Sequence, residues 1–183
     1  FVEPLAAACR ISEQVHVRPT DRVVVLGLGR LGQLCARVLA LSGAAVAGVA
    51  RSAGKRALLP AGIEPVAAED ADELMGADLV VDCTGSPDGL AIATRLVRPG
   101  GTLVMKTTVH DLGPVSPTAW VVDEVTLVGS RCGPFAPALR LLAAGLVDPT
   151  PLITARLPLE EGLLALDRAR APGGLKVLLD ARG

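Results

Sequence analysis

The chain has 183 residues, of which 18 are basic and 19 acidic, so its formal net charge at pH 7 is −1. This balance gives no general electrostatic attraction to nucleic acid or to an anionic membrane surface. Half of the residues are hydrophobic but only 2% are aromatic, which predicts a domain with an aliphatic core and room for a small appendage. No stretch is long and apolar enough to span a bilayer, and no signal-peptide pattern opens the sequence.

Short apolar runs alternate with helical patterns along most of the chain. This alternation predicts an α/β fold, a doubly wound parallel sheet of the Rossmann type with helices on both faces. Strands are predicted at residues 22–26, 45–50, 64–66, 78–82, 102–106 and 124–129. Helices are predicted at residues 33–41, 54–59, 68–75 and 86–97. The loops after the strands should line one crevice, because open sheets of this kind bind ligands beyond the carboxyl ends of their strands.

The end of the chain has a different pattern. A helix is predicted at residues 135–145, and a C-terminal strand–helix–strand segment at residues 152–157, 159–170 and 175–179. We therefore divide the chain into a Rossmann domain, residues 1–150, and a C-terminal segment, residues 151–183. The segment is expected either to complete the sheet or to pack on a neighbouring domain.

The most informative motif is Gly27-Leu28-Gly29-Arg30-Leu31-Gly32, which lies between the first predicted strand and the first predicted helix. Gly27 permits a tight turn, Gly29 lets a pyrophosphate approach the backbone, and Gly32 lets the helix pack closely on the strand. Free N–H groups and the positive end of the helix dipole then point at the phosphates. A glycine-rich turn in this context predicts a dinucleotide-binding corner.

The end of the second predicted strand discriminates between the two nicotinamide cofactors. NAD-binding Rossmann proteins usually carry an Asp or Glu here, which binds the ribose 2′-hydroxyl. This chain has Ala50 instead, followed by Arg51 and Ser52 and, shortly after, Lys55. These donors suit a 2′-phosphate, so the sequence favours NADP(H), with NAD as the alternative. A solvated basic turn with no role in selectivity is the competing interpretation.

The cysteines and histidines form no metal-binding pattern. Cys9, Cys35, Cys83 and Cys132 are widely spaced, with no C-x-x-C pair and no neighbouring histidine cluster. We therefore expect no disulfide framework and no metal site in this chain, and a reducing, cytoplasmic setting as the default. Cys35 and Cys83 are expected to be buried as small hydrophobic residues.

Further motifs follow one another in an order and spacing that cover nearly the whole chain. They are Glu3-Pro4-Leu5, Val81-Asp82-Cys83-Thr84-Gly85, Arg98-Pro99-Gly100-Gly101-Thr102, Gly129-Ser130 and Gly174-Leu175-Lys176-Val177-Leu178-Leu179. In these features the chain resembles the medium-chain dehydrogenase/reductase superfamily, the relatives of zinc-dependent alcohol dehydrogenases. Members carry an N-terminal catalytic domain with a Cys and a Gly-His-Glu zinc signature, which is absent from these 183 residues. The resemblance therefore implies the cofactor-binding domain of such an enzyme.

The fold geometry and this resemblance imply additional cofactor contacts after the central strands. Thr84 and Gly85 are expected beneath the adenosine and ribose, and Lys106 and Thr107 on the nicotinamide side. A lysine at a strand end in a crevice is expected either to meet a phosphate or substrate carboxylate or to extend into solvent.

The remaining contacts are implied by the resemblance alone. Ser130 and Arg131 follow the sixth strand, where family members contact the carboxamide of the nicotinamide. Lys176 matches a basic residue that reaches the pyrophosphate, although it also suits an ordinary surface position. Glu3 corresponds to a carboxylate near the catalytic zinc of polyol-dehydrogenase-like members, and here a solvated glutamate is the favoured interpretation because one carboxylate cannot satisfy zinc.

The resemblance implies an NAD(P)-dependent oxidoreductase that moves a hydride between NADP(H) and a small alcohol, aldehyde or ketone. The chain by itself is expected to bind cofactor with little or no activity, because the zinc of the intact enzyme would lie in the absent domain. The lack of tyrosine argues against a short-chain dehydrogenase, and Ala50 argues against a methyltransferase. A zinc-free quinone-reductase-like member and a noncatalytic nucleotide-sensing module stay open.

Association is expected through one edge of the sheet. Family members commonly pair the edge strands of two cofactor domains into one continuous sheet. The apolar strand between Val125 and Val128 would be that edge, so we expect a homodimer.

Overall fold

The computed structural model describes residues 1–181 except 112, 114 and 172. The chain divides into two compact units, residues 1–147 and residues 148–183. The first unit holds a six-stranded sheet and the second a two-stranded sheet. This architecture confirms the predicted α/β fold with a C-terminal strand–helix–strand segment.

The sheet of the first unit is parallel throughout. Its strands are β1 Arg22–Leu26, β2 Ala45–Ala50, β3 Ile63–Ala67, β4 Ala77–Asp82, β5 Val97–Met105 and β6 Thr126–Gly129. They lie in the order β3-β2-β1-β4-β5-β6. Leu26 pairs with Asp82, and Asp82 pairs with Met105, so the carboxyl ends of the central strands are level. The strand order reverses between β1 and β4, which is the point where such sheets bind ligands.

The helices of the first unit are α1 Val2–Gln14, α2 Arg30–Ala40, α3 Ala53–Arg56, α4 Gly89–Leu96, α5 Pro117–Val122 and α6 Phe135–Ala143. Helix α2 forms because its apolar residues recur at helical spacing, and Leu34, Val38 and Leu39 are buried on that face. Helix α4 packs on β4 and β5, while α1 packs against α2 and α6. The central strands β1 and β4 are largely buried apolar runs, as strands covered on both faces of a sheet require.

Two helices, α1 and α5, were not predicted from the sequence. Helix α1 is missed because the alanine run around Ala7 weakens the apolar periodicity, yet Leu5 and Ile11 are wholly buried. Helix α5 has six residues and buries none of them fully, so it leaves no amphipathic pattern.

Several predicted helices differ in type or length, and the helix predicted at residues 54–59 is the shorter Ala53–Arg56. The element predicted as a helix at residues 68–75 is the 3₁₀ helix Ala68–Leu74. Glu69 lies three and four residues before Asp72 and Glu73, and such like-charge pairs destabilise an α-helix. The helix predicted at residues 86–97 spans only Gly89–Leu96, because Val97 already pairs with Ala77 as the start of β5.

The second unit is a small β–α–β arrangement. Its elements are β7 Ile153–Pro158, α7 Gly162–Arg170 and β8 Lys176–Asp180. Strands β7 and β8 are parallel neighbours, so α7 is the crossover between them. Short 3₁₀ helices, Thr150–Leu152 and Leu159–Glu161, precede β7 and α7. Within the described part of the chain, no helix has the length and apolar character needed to cross a membrane.

Candidate cofactor-binding site

The glycine-rich turn joins the carboxyl end of β1 to the start of α2. Gly27 has a φ of +87°, in the left-handed region that favours glycine. A Cβ atom on Gly27 would lie 2.7 Å from Cα of Thr84 and 2.8 Å from the carbonyl oxygen of Cys83. A Cβ atom on Gly32 would collide with the carbonyl oxygen of Gly27. Close packing of the turn on β4 and on α2 therefore requires both glycines.

Gly29 differs from these two glycines because nothing packs against it. Apart from its chain neighbours, no described atom lies within 4 Å of the position a Cβ would take. Gly29 is the N-cap of α2, with φ −72° and ψ −171°, and no described side chain caps the helix. The first N–H groups of a helix have no partner within the helix. Open space beside them leaves room for a pyrophosphate to approach the backbone.

The other residues of the motif divide between core and surface. Leu28 is 1% exposed, and its Cδ2 lies 2.9 Å from the position a Cβ would take on Gly48 of β2. Its side chain therefore packs under the turn, and only its backbone can face a cofactor. Arg30 is exposed and Leu31 half-buried at the start of α2. The sequence motif does not predict the contact of Leu28 with Gly48.

The residues predicted to select the cofactor form one turn after β2. Ser52 is the N-cap of α3, and its Oγ accepts a long hydrogen bond from the backbone N–H of Lys55 at 3.4 Å. Arg56 donates to the carbonyl oxygens of Ala50 and Arg51, at 2.5 and 3.1 Å, so its guanidinium braces the turn. Arg51 is exposed and Lys55 half-buried. The side chains of these two cations form no hydrogen bond or ion pair within the described residues.

A buried carboxylate closes the end of β4. Asp82 is wholly buried, and its Oδ1 accepts hydrogen bonds from the backbone N–H and the hydroxyl of Thr84, at 2.9 and 2.7 Å. Its Oδ2 has no partner among the described residues. A Cβ atom on Gly89 of α4 would lie 2.9 Å from that oxygen. Asp82 therefore fixes Thr84 at the point where the strand order reverses. That Asp82 positions Thr84 was not predicted from the sequence. The signal for this role was a charged residue at the end of an apolar strand.

Thr107 joins the ends of β4 and β5. Its hydroxyl oxygen accepts a hydrogen bond from the backbone N–H of Gly85 at 3.1 Å and donates to the carbonyl oxygen of Asp82 at 3.4 Å. Gly85 has a φ of +61° and open space on its Cβ side. The structure thus brings Thr84, Gly85 and Thr107 together beyond the carboxyl edge of the sheet.

The structure corrects one expectation about Lys106. This side chain does not extend into solvent: the residue is 8% exposed. Its Nζ donates to the carbonyl oxygen of Ala7 at 2.5 Å and to that of Arg131 at 3.1 Å, which leaves one N–H for a ligand. A Cβ atom on Gly133 would collide with the carbonyl oxygen of Ala6. Helix α1 is therefore pressed against the loop after β6, and Lys106 bonds both.

Burial sets the ionisation of the groups around Lys106. Desolvation lowers the pKa of the Lys106 ammonium, while the nearby thiols of Cys35, Cys83 and Cys132 act in the opposite direction. A hydrogen bond between the thiols of Cys83 and Cys35, with sulfurs 3.9 Å apart, raises the pKa of Cys83 well above its ordinary value, and burial adds to that shift. Burial likewise raises the pKa of Cys9. The thiols of Cys9 and Cys83 therefore stay neutral at pH 7 and behave as small hydrophobic residues.

Ser130 presents an unsatisfied hydroxyl after β6. Its backbone N–H donates to the carbonyl oxygen of Met105 at 3.0 Å, which continues the ladder between β5 and β6. Its Oγ is buried and has no hydrogen-bond partner among the described residues. A buried hydroxyl without a partner costs free energy, so a ligand amide that paired with it would gain affinity. Arg131, the next residue, is exposed.

Two other predicted residues belong to other elements of the chain. Lys176 is the first residue of β8 in the second unit, where its carbonyl oxygen accepts a hydrogen bond from the Thr154 hydroxyl at 3.1 Å. Glu3 is exposed in the first turn of α1. The described residues contain no group of three or more His, Cys, Asp or Glu that could hold a metal ion. They do not fit a four-coordinate zinc.

A hollow of about 180 Å³ lies at the other end of the sheet. Apolar residues of β1 and β2 line it together with Arg22 and Glu64. These residues belong to the amino-terminal halves of their strands. The hollow is therefore distinct from the corner at the carboxyl ends, where a cofactor is expected.

Comparison with known proteins agrees with this geometry. Residues 31–144 match the family described as zinc-binding dehydrogenase. A protein of Agrobacterium fabrum described as a D-xylulose reductase is 30% identical over 183 aligned residues, covering 92% of this chain and 52% of that protein. The NADP-bound structure of a protein of Sinorhizobium meliloti 1021 described as a zinc-binding dehydrogenase has a TM-score of 0.89 at 26% identity, covering 98% of this chain and 58% of that one. L-Idonate 5-dehydrogenase of Escherichia coli has a TM-score of 0.88 at 24% identity, covering 98% and 55%.

The strand order and the glycine-rich corner define a Rossmann dinucleotide-binding domain. The chain belongs to the zinc-binding dehydrogenase family, within the alcohol dehydrogenase-like medium-chain dehydrogenase/reductase superfamily. It spans about half the length of the curated relatives it matches. These findings confirm the predicted family and identify this part of it as the cofactor-binding domain.

Proposed function

We propose that this chain is the NADP(H)-binding part of an oxidoreductase that interconverts a small alcohol and the corresponding aldehyde or ketone. The observation that carries the proposal is the glycine-rich corner, where Gly29 opens onto the uncapped start of α2. The nicotinamide cofactor, when bound, supplies or accepts the hydride. The residues of this chain bind and orient it.

The preference for NADP(H) over NAD rests on the turn after β2. Arg51, Ser52 and Lys55 offer donors to a 2′-phosphate, and no acidic residue lies between Ala50 and Arg56 to bind a ribose hydroxyl or repel phosphate. The related protein of Sinorhizobium meliloti, whose structure holds NADP, supports this choice. NAD is the alternative cofactor.

The adenosine and ribose are assigned to the end of β4, and the nicotinamide half to the ends of β5 and β6. Thr84, Gly85 and Thr107 would line the path of the cofactor from its adenosine end. The unpartnered Oγ of Ser130 and the neighbouring Arg131 would meet the carboxamide.

The substrate and the metal belong to the larger protein in this proposal. Because the relative from Agrobacterium fabrum is described as a D-xylulose reductase, small ketoses and polyols are the substrates to assay first. Zinc, if the intact enzyme uses it, would be held by residues beyond those described here, since these offer no ligand cluster. We therefore expect cofactor binding but little turnover from these 183 residues alone.

Association through β6 is part of the same proposal. Strand β6 is one edge of the sheet, and Leu127 in its middle is 41% exposed. An exposed apolar edge can pair with a second copy and continue the sheet. Sedimentation at micromolar concentration should show a dimer, and a monomer alone would reject this assembly. The buried, neutral thiols suit the reducing cytoplasm that we propose as its location.

Calorimetric titration with NADPH and with NADH, in the same buffer and salt, tests the function. Tighter binding of NADPH is the expected result. Tighter binding of NADH would keep the dinucleotide site and reject the choice of cofactor. Binding of neither would reject the proposed function. Adenosine 2′,5′-bisphosphate and AMP, titrated in parallel, show how much of any preference comes from the 2′-phosphate.

A further inference from the structure

Two polar side chains are buried on the face of α2 that contacts the segment after β2. Gln33 is 0% exposed and Arg37 is 7% exposed, four residues and about one helical turn apart. Buried amide and guanidinium groups are costly unless they are hydrogen-bonded. Their partners therefore show what these residues are for.

The partners lie on the segment that includes α3. Gln33 Nε2 donates to the carbonyl oxygen of Lys55 at 2.7 Å. Arg37 Nη2 donates to the carbonyl oxygen of Leu58 at 2.6 Å. Arg37 Nη1 donates to the Oε1 of Gln33 at 2.6 Å and to its carbonyl oxygen at 2.9 Å, which fixes the orientation of the Gln33 amide. The two side chains thus act as one hydrogen-bonded clamp from α2 to residues 55–58.

The clamped segment has little stability of its own. Helix α3 comprises only Ala53–Arg56, a single turn, and none of its residues is buried. An isolated turn of helix is unstable in water because nucleation costs more than one hydrogen bond returns. Lys55 and Leu58 lie at its C-terminal end, where the carbonyl oxygen of Lys55 accepts a long backbone hydrogen bond from the N–H of Leu58 at 3.3 Å and where a cation is favourable. The clamp supplies what the short helix lacks.

The same segment carries the side chains proposed to read the 2′-phosphate. Helix α2 starts in the glycine-rich turn, so Gln33 and Arg37 connect that turn rigidly to the segment with Ser52 and Lys55. We propose that Gln33 and Arg37 are positioning residues for cofactor selectivity, which hold the turn after β2 at the distance from the glycine-rich corner that a 2′-phosphate requires. The inference rests on the proposed preference for NADP(H).

Affinity ratios of variants test this inference. Gln33→Glu keeps an acceptor for Arg37 but removes the donor to Lys55, and Arg37→Lys keeps the charge but removes the two-armed contact. Each variant should weaken the binding of NADPH about tenfold, which corresponds to the loss of one charge-assisted hydrogen bond. The affinity for NADH should change less than about twofold. Arg98→Met is the matched control, because this guanidinium binds Asp78 near the opposite ends of the strands. Its NADPH/NADH ratio should equal that of the unmodified chain.

The outcomes separate this inference from the proposed function. If the unmodified chain binds NADH as tightly as NADPH or more tightly, the proposed cofactor preference and this inference are both rejected, while the dinucleotide site stands. If it prefers NADPH and the two variants keep its ratio, or lose both cofactors equally, only the positioning role is rejected. Circular dichroism checks that each variant is folded. If a variant is not folded, Gln33→Met or Arg37→Gln, which introduce no new charge, take its place. The expected ratios of NADPH to NADH affinity are the same.

Discussion

The Nζ atom of Lys106 lies 2.5 Å from the carbonyl oxygen of Ala7, which is 99 residues earlier in the chain. A second hydrogen bond from the same ammonium reaches Arg131. One buried cation therefore joins the end of β5, helix α1 and the loop after β6. That loop follows Ser130, so the ammonium also fixes the segment to which we assign the nicotinamide.

Lys106→Met should destabilise the first unit, because two carbonyl oxygens lose a charged donor in a buried position. We expect the free energy of unfolding to fall by about 2 kcal/mol, measured by urea denaturation. Arg131→Ala is the control, since Lys106 contacts only the backbone of Arg131, and it should change stability little. Equal stability of Lys106→Met and the unmodified chain would contradict this account.

Gly29→Ala and Gly32→Ala form a matched pair within one turn. The Cβ on residue 29 has open space and an ordinary backbone conformation, so the fold should tolerate it. The same atom would stand in the space assigned to the pyrophosphate, so NADPH affinity should fall at least about tenfold. Gly32→Ala should instead lower the free energy of unfolding by about 3 kcal/mol, because its Cβ would collide with the carbonyl oxygen of Gly27. Thermal denaturation and calorimetry distinguish the two effects, and unchanged NADPH binding by Gly29→Ala would reject the phosphate site.

Arg51→Ala should weaken NADPH far more than NADH. The guanidinium is exposed and makes no hydrogen bond or ion pair to other described residues, so its removal should leave stability within about 0.5 kcal/mol. A lost pairing with phosphate predicts about a tenfold or larger loss of NADPH affinity. Arg30→Ala, at the start of α2, removes a cation with no assigned contact to the 2′-phosphate and serves as control. Equal losses of both cofactors in Arg51→Ala would reject the selectivity role.

Asp78 gives a pH-dependent contribution to stability. Hydrogen bonds from the backbone N–H of Arg22, at 2.8 Å, and then from the guanidinium of Arg98, at 2.6 Å, lower the pKa of Asp78 below its ordinary 3.8. A carboxyl whose pKa is lower in the folded state stabilises the fold above its unfolded pKa. That contribution is lost as the pH falls through the lower, folded value.

Asp78→Asn should therefore cost about 1 kcal/mol near neutral pH, and the cost should shrink as the pH falls below 3.8. Urea denaturation at a series of pH values measures this difference. Asp72→Asn is the control, because the ion pair of Asp72 with Arg95 is exposed and 3.4 Å long, and such pairs contribute little. A cost for Asp78→Asn that did not change with pH would contradict the assignment.

Sequence reasoning recovered the parts of the site that depend on local pattern. The glycine-rich turn lies between β1 and α2 where predicted, since strand, turn and helix are each specified by neighbouring residues. The cationic turn after β2 follows in the same way from Ala50, Arg51 and Ser52. By contrast, the sequence gives no sign that Leu28 packs under Gly48, because that contact depends on β2 returning beside β1. It also gives no sign that Arg56 braces the turn, because residue spacing does not specify the direction in which an arginine side chain points.

The amino-acid sequence by itself determined the class of fold, the glycine-rich corner and the absence of an acidic selector after β2, because each is a matter of residue type and short spacing. Only the tertiary structure decided which polar groups are buried and what they bind. Lys106 turns inward to Ala7, Asp82 holds Thr84, and Gln33 with Arg37 clamps the segment after β2. Most of these partners are brought together by folding over long sequence separations, and burial makes each polar group take whichever partner the packing offers.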